Sequence, residues 1–320
     1  MSENSNIAWT GNTFNPWSGC RKVSEACKNC YAETLPPGMR RHAEWGDHPR
    51  VMASDSYWKQ PIAWSRKAEK EGTRVKVFCG STCDVFEELP ELVMARRRLW
   101  ELIEETKRGL IWQLLTKRPE AMLAWNRSYW WPINAWAGVT AENQQRFDER
   151  YPFLRQVKAP VRFLSCEPLL GPIQLNLDGI HWVIAGGESG PNARPTHPDW
   201  VRGLRDQCLA AGVPYFFKQW GEYGPGMVDM CNGMPVFDEM WNYQRWVSKA
   251  STHISRTDAC MDKKGRVLNM GIDFMRARDE DAFPVTILSR LGKHNTGAII
   301  DGREWREFPG DGEPNQEIAP

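Results

Sequence analysis

Three cysteines stand close together in Gly19-Cys20-Arg21-Lys22-Val23-Ser24-Glu25-Ala26-Cys27-Lys28-Asn29-Cys30-Tyr31-Ala32-Glu33, with six residues between the first two and two between the second pair. A two-residue gap lets the Cys27 and Cys30 side chains converge on one centre, and Cys20 is far enough upstream to reach it from the other side of a loop. The next cysteine is Cys79. Three thiolates with a vacant fourth corner suit a cluster or metal that does chemistry, because a structural tetrahedral site is closed by a fourth protein ligand. A zinc site completed by His42 or His48 is the competing reading, and three unrelated buried thiols the next. A disulfide scaffold does not fit a chain this long with an odd cysteine count.

The elements that must position these thiols belong to a chain of 320 residues, 41% hydrophobic and 25% charged, ordinary for a soluble globular protein. Lys and Arg total 41 against 40 for Asp and Glu, a net charge of +1. That exerts no global pull on nucleic acid and leaves open a local basic groove. With no apolar run of about 18 residues, no membrane span is expected. Met1 to Asn6 lacks the basic and apolar parts of a secretory signal. Nine cysteines then point to a reducing, cytoplasmic setting and to metal rather than disulfides. Trp125, Trp130 and Trp131 fall with Tyr129 in an expected loop, as a stacking platform or as a hydrophobic cluster beneath it.

Short apolar runs alternate with helical stretches. Strands are expected at Ile7–Thr10, Val75–Phe78, Leu110–Leu115, Ala135–Val139, Val161–Ser165, Trp182–Ala185 and Val213–Phe217. Helices are expected from Cys30 to the Pro36-Pro37-Gly38 break, and over 61–71, 91–107 and 199–211. The Arg96-Arg97-Arg98 run is read as a solvated face. Strand–helix repetition argues for a parallel sheet with crossover helices. Polar residues follow the strands directly: Ser81 and Asp84, Thr116 and Lys117, Thr140 and Glu142, Glu167, Glu188, Lys218. Each alone reads as a helix cap, but their recurrence at successive strand ends points to one shared site on the C-terminal face. Residues 1–221 form this unit. Residues 222–320 read as an extension with β-hairpins, one turning at Asp301-Gly302, and the stretch from Gly310 to Pro320 is expected to be disordered.

Together these motifs resemble the radical S-adenosylmethionine (SAM) superfamily, and most closely an uncharacterised phage-associated family of radical-SAM-like proteins. The shared features are Trp9-Thr10, Asn15-Pro16, Gly19-Cys20, Ser81 with Asp84 and Phe86, Thr116-Lys117-Arg118-Pro119 and Gly138-Val139. Further along come Glu167-Pro168-Leu169-Leu170-Gly171-Pro172, Gly186-Gly187-Glu188-Ser189-Gly190, Lys218-Gln219-Trp220-Gly221 and Asp301-Gly302-Arg303-Glu304-Trp305. The first cysteine gap is longer than the commonest in the superfamily, and the residue before the last cysteine, usually aromatic there, is Asn29.

The resemblance implies an α/β partial parallel (β/α) barrel of about six strands. It implies a 4Fe-4S cluster on Cys20, Cys27 and Cys30, with SAM on the iron that has no protein ligand. SAM cleavage to a 5′-deoxyadenosyl radical and hydrogen abstraction would follow. Gly80 and Ser81 would meet the methionyl amino group, Lys117 beside Thr116 its carboxylate, and Thr140 and Glu142 the ribose hydroxyls. Gly186 and Gly187 would allow close backbone approach to adenine or substrate. Glu167 and Glu188 would serve SAM or substrate, with Asp84 and Lys218 on the substrate side. An electron donor of flavodoxin or ferredoxin type is the implied partner. Likeness of the cysteine region to DNA-repair lyases, with the phage setting, points to a nucleic acid base or nucleotide as substrate, with a peptide or small metabolite as alternatives. A zinc or Fe-S nucleic-acid-binding protein without catalysis is the alternative function.

Overall fold

The computed structural model describes residues 3, 5–250, 254 and 257–310. Seven parallel strands form one sheet in chain order: β1 (Asn12–Phe14), β2 (Val75–Cys79), β3 (Leu110–Thr116), β4 (Ala135–Thr140), β5 (Arg162–Cys166), β6 (Trp182–Ala185) and β7 (Tyr215–Phe217). Helices α1 (Gln60–Lys70), α2 (Leu92–Glu105), α3 (Pro119–Ser128), α4 (Gln144–Leu154) and α5 (Pro198–Ala211) make the crossovers, and the β5–β6 connection carries no helix. This is the α/β partial barrel the sequence implies, with one strand more than the resemblance sets.

Alternation along the strands explains its two faces. Val77, Trp112, Leu114, Val139, Leu164 and Val183 pack under the helices with Trp64, Leu99, Trp100 and Leu204. Trp9, Phe78, Ile111, Trp136, Phe163, Trp182, Ile184 and Phe216 fill the other face. These rings interlock: Trp9 on Phe78 at 4.7 Å, Trp136 on Trp182 at 5.9 Å, Trp182 on Phe216 at 6.0 Å. Gly138 makes room, since a Cβ there would lie 2.2 Å from Phe163 Cζ. This aromatic plug fills that face of the sheet.

The β7 edge is covered. Phe217 N donates to Trp305 O (2.9 Å), Glu307 N to Tyr215 O (3.1 Å), and Phe216 bridges Arg306. A second, antiparallel sheet joins β8 (Tyr223–Gly224), β9 (Asp238–Met240), β10 (Ala259–Asp262), β11 (Val267–Leu268) and β12 (Val285–Arg290). Helices α6 (Tyr243–Ala250) and α7 (Gly271–Asp279) accompany it. Met240, Cys260, Phe274 and Ile287 lie in its own core. The hairpin β13 (Ile299–Ile300) and β14 (Arg303–Glu304) turns at Asp301 (φ +50°) and Gly302 (φ +81°), both left-handed as a type I′ turn demands.

Four expectations change. Ile7–Thr10 is a turn, with Thr10 N bonded to Ile7 O (3.1 Å), and sheet pairing starts at Gly11, whose N–H donates to Lys76 O (3.1 Å). After Cys30 there is only one helical turn, Tyr31–Thr34, before a 3-10 turn at Pro37–Arg40. Arg96 is buried, not solvated: its guanidinium donates to Val85 O and Glu87 O, both at 2.6 Å. Trp125 lies on α3 rather than in a loop; it packs on Trp100 (5.4 Å) and Trp131 packs on Phe86 (6.2 Å), so of the two readings the hydrophobic cluster is the one seen. Only Trp130 of the three is exposed. Of the expected disordered tail, everything beyond Gly310 lies outside the described residues. No described helix is long and apolar enough to cross a membrane.

Candidate active site

The cysteine loop is strapped across the C-terminal strand ends. At its start Gly19, at φ +103°, donates its N–H to Thr82 O (3.0 Å), just past β2. Arg21 N donates to Glu87 Oε1 (3.1 Å). Buried Arg50 grips the same carboxylate with Nε and Nη2, both at 2.7 Å. On the far side the Glu25 carboxylate accepts from Arg146 Nη2 (2.9 Å) and from Asn143, which opens α4. Arg194 Nη2 reaches Glu25 O (3.0 Å), and Asn29 Nδ2 reaches Glu188 Oε2 (3.1 Å), beyond β6. Tyr31 OH donates to Ser81 O (3.1 Å). Cys20, Cys27 and Cys30 therefore ride on one loop tied down from β2 to β6. All three are free thiols and partly exposed.

No group of three or more His, Cys, Asp or Glu side chains gathers around one metal position among the described residues. His48 pairs with Glu44 at 3.0 Å. One tetrahedral ion needs its sulfurs about 4 Å apart, given metal–sulfur bonds of about 2.3 Å. A cubane cluster takes each thiolate on a different iron, so its ligand sulfurs stand further apart. Cys20, Cys27 and Cys30 are three free, partly exposed thiols on one anchored loop, the donor type a cubane takes. Burial pushes the Cys20 thiol up to about 12; Asp84 adds to this, Arg118 opposes it and Glu87 adds again.

Strand register ranks the polar residues. Thr140 pairs with Ser165, Ser165 with Ile184 and Ile184 with Phe216. Two residues further on, on the same face, come Glu142, Glu167, Gly186 and Lys218. Glu167 and Lys218 form an ion pair, and a Cβ on Gly186 would press on Glu167 Oε1 at 3.3 Å. Glu142 is fully buried; its Oε2 accepts from Arg150 Nη1 (2.7 Å), while its Oε1 has no partner. Thr140 Oγ1 is likewise buried and unpartnered. Thr140 Oγ1 and Glu142 Oε1 are thus two buried polar atoms without a protein partner at the end of β4. Lys117 follows the last residue of β3 and is half-buried.

Other expected residues do different work. Asp84, placed on the substrate side by the resemblance, is buried and saturated. It accepts from Thr116 Oγ1 (2.7 Å), Lys117 N (3.1 Å), Phe86 N (3.0 Å) and Arg118 Nη1 (2.9 Å), tying the β2 loop to β3. Thr116 is thereby also engaged. Glu188 is held by Arg194 through Nη2 (2.6 Å), Nε (2.8 Å) and N (2.7 Å), so it anchors the cysteine loop instead of facing a ligand. A Cβ on Gly187 would lie 1.8 Å from Trp220 O, so its bareness serves contact with the chain after β7, not with adenine. Gly80 (φ +99°) shapes the β2 turn, and Ser81 Oγ accepts from Asn15 Nδ2 (2.9 Å). Cys79, Cys83 and Cys166 are buried and burial pushes each thiol upward, as suits inert core sulfurs. Arg118, Asn29, Arg194 and Glu87 join the site through contacts between distant parts of the chain that no local sequence pattern marks. Asn29 carried a signal in standing where an aromatic is usual.

A family model described as "Protein of unknown function (DUF5131)" matches residues 4–309. The chain belongs to that family. No curated protein matches it. Among solved structures, this DUF5131 chain is similar to a cysteine-to-serine variant of spore photoproduct lyase, at 14% identity and a TM-score of 0.41, over 88% of this chain and 76% of that one. It is also similar to a doubly substituted variant described as having bound AdoMet and a dinucleoside spore photoproduct, at 12% identity and a TM-score of 0.38, over 86% and 75% of the two chains.

Proposed function

We propose that this DUF5131 protein is a radical SAM enzyme whose Cys20, Cys27 and Cys30 hold a 4Fe-4S cluster at the mouth of the partial barrel. The observation that carries this reading is the anchored three-thiol loop lying over strand ends that present two unpartnered buried polar atoms, Thr140 Oγ1 and Glu142 Oε1. When bound, the cluster and SAM together supply one-electron cleavage of a carbon–sulfur bond and a carbon radical able to take hydrogen from a substrate.

The chain's own residues would orient and shield. Thr140 Oγ1 and Glu142 Oε1 would take the ribose hydroxyls, with Arg150 fixing the Glu142 carboxylate. Lys117 would meet the cofactor carboxylate. The Glu167–Lys218 pair would hold the substrate and pass a proton between Oε1 and Nζ. The aromatic plug below excludes water. The electron comes from a donor of flavodoxin or ferredoxin type. The substrate class of this reading is a nucleic acid base or nucleotide, supported by the likeness of the cysteine region to DNA-repair lyases.

Anaerobic reconstitution tests the proposal. About four iron and four sulfide per chain are expected, followed by 5′-deoxyadenosine on addition of dithionite and SAM. Zinc in the purified protein, with no SAM cleavage after reconstitution, would overturn it.

A further inference from the structure

Arg118 stands at the first cysteine with its charge already committed. Its Nη1 lies 3.7 Å from Cys20 Sγ and 2.9 Å from Asp84 Oδ2. Its Nη2 donates to Arg21 O (3.0 Å) and approaches Glu87 Oε1 (3.4 Å). Its backbone N–H donates to Thr116 Oγ1 (2.9 Å), which fixes where the side chain starts. Asp84 and Glu87 are both buried, and Glu87 is shared with buried Arg50. Two guanidinium groups thus face two carboxylates in one nearly water-free network, and Cys20 sits at its rim. A thiolate at Cys20 makes that network net negative by one charge; without Arg118 it would be net negative by two.

We propose that Arg118 is a positioning residue that sets the electron affinity of the group bound at Cys20, by an N–H···S hydrogen bond from a guanidinium locked between Asp84 and Glu87. This rests on the cluster reading above. Hydrogen bonds to ligand sulfur and nearby charge are two of the factors that set iron–sulfur potentials. A donor and positive charge beside the sulfur stabilise the reduced state, which carries one more electron. Loss of Arg118 therefore makes the cluster harder to reduce. Cys27 and Cys30 have no guanidinium hydrogen bond among the described residues: Ser24 Oγ lies 4.0 Å from Cys27 Sγ, and Lys22 acts on both sulfurs through its charge alone. The hydrogen-bonded part of the tuning is thus confined to one corner, at Cys20.

The test compares reconstituted wild type, Arg118→Lys and Arg118→Met. Iron and sulfide are counted per chain, and the midpoint potential is read by electron paramagnetic resonance during a reductive titration. At equal loading, Arg118→Met is expected to reduce at least tenfold less favourably, a shift of about 59 mV for one electron. Arg118→Lys, which keeps the charge but not the fork, is expected to shift less in the same direction. Equal loading with an unchanged midpoint in Arg118→Met overturns the proposal. If only Arg118→Lys loads, its midpoint decides: a downward shift supports tuning and an unchanged one refutes it. If neither variant loads, Arg118 is a structural part of the loop and the proposal falls. Absence of a cluster in the wild type removes the underlying reading and this inference with it.

Discussion

Asn29 Nδ2 donates to Glu188 Oε2 at 3.1 Å across 159 residues of sequence, and the same nitrogen donates to Asn192 O at 2.7 Å. The residue between two of the three loop cysteines is thereby fixed to the end of β6. Arg194, which grips the same carboxylate, also reaches Glu25 O at the near end of the loop. Glu188 is therefore the post to which the Cys27–Cys30 turn is moored. Asn29→Ala removes one mooring and leaves the core untouched. A hydrogen bond to a charged group contributes about 1.5–3 kcal/mol, less where partly exposed. If the loop holds the proposed cluster, iron should be lost to a chelator roughly five- to tenfold faster in the reconstituted variant, with the thermal midpoint nearly unchanged. Iron release at the wild-type rate would show that the mooring is idle.

Thr140→Val separates binding from folding. The Oγ1 atom is buried with no partner, so its removal costs no protein hydrogen bond and relieves an unmet polar group. The variant should unfold in urea at or above the wild-type midpoint. If Thr140 meets the cofactor ribose, SAM affinity of the reconstituted protein falls about tenfold, roughly 1.4 kcal/mol. Unchanged affinity by equilibrium dialysis would remove Thr140 from the site.

Legibility follows the range of the interactions. β3 and β4 were readable because continuous apolar runs mark strands buried on both faces, and α5 because its period and caps are local. The polar rank at the strand ends was readable for the same reason, since it simply follows the strands. What those polar groups face was not. Asp84 and Glu188 look alike in sequence to Glu142, yet the first two are consumed by Thr116, Arg118, Asn29 and Arg194, and only Glu142 keeps a free oxygen. Those partners come from 6 to 159 residues away, beyond what period or capping encodes. Arg96 misled for a related reason: its carbonyl acceptors belong to the β2–α2 loop, not to its own helix. The Ile7–Thr10 run misled because Trp9 is apolar to fill the concave face, not to extend β1.

Two glycine-to-alanine changes should act in opposite directions. At Gly187 the new methyl would overlap Trp220 O, a backbone atom that cannot swing aside. The β6 and β7 ends must part, at about 3 kcal/mol or more. At Gly203, inside α5, a Cβ meets nothing within 4 Å, and alanine should stabilise by about 0.5–1 kcal/mol. Urea unfolding of the two variants checks both signs. A Gly187→Ala protein as stable as wild type would mean that the contact between the two strand ends yields easily.

The last prediction concerns pH and the seam between the two sheets. His197 is buried where α5 begins; its Nδ1 accepts from Asp199 N (3.2 Å) and its Nε2 lies 3.3 Å from Thr286 Oγ1 on β12. Burial pushes the imidazole below its ordinary value, Asp199 opposes, Arg202 adds to the depression and Asp262 opposes. The folded state therefore holds the ring neutral while the unfolded chain takes up a proton first. Stability is complete above the ordinary value of about 6.5 and is lost as pH falls from there toward the folded value, by at most about 1.4 kcal/mol per pH unit for this one proton. His197→Asn keeps a helix-capping acceptor but cannot titrate. Urea midpoints taken between about pH 7.5 and 5.5 should fall more steeply in wild type than in the variant. Some slope should persist in both, because burial and Arg162 also depress His181. Equal slopes would mean that the seam around His197 admits enough water for the ring to protonate without loss.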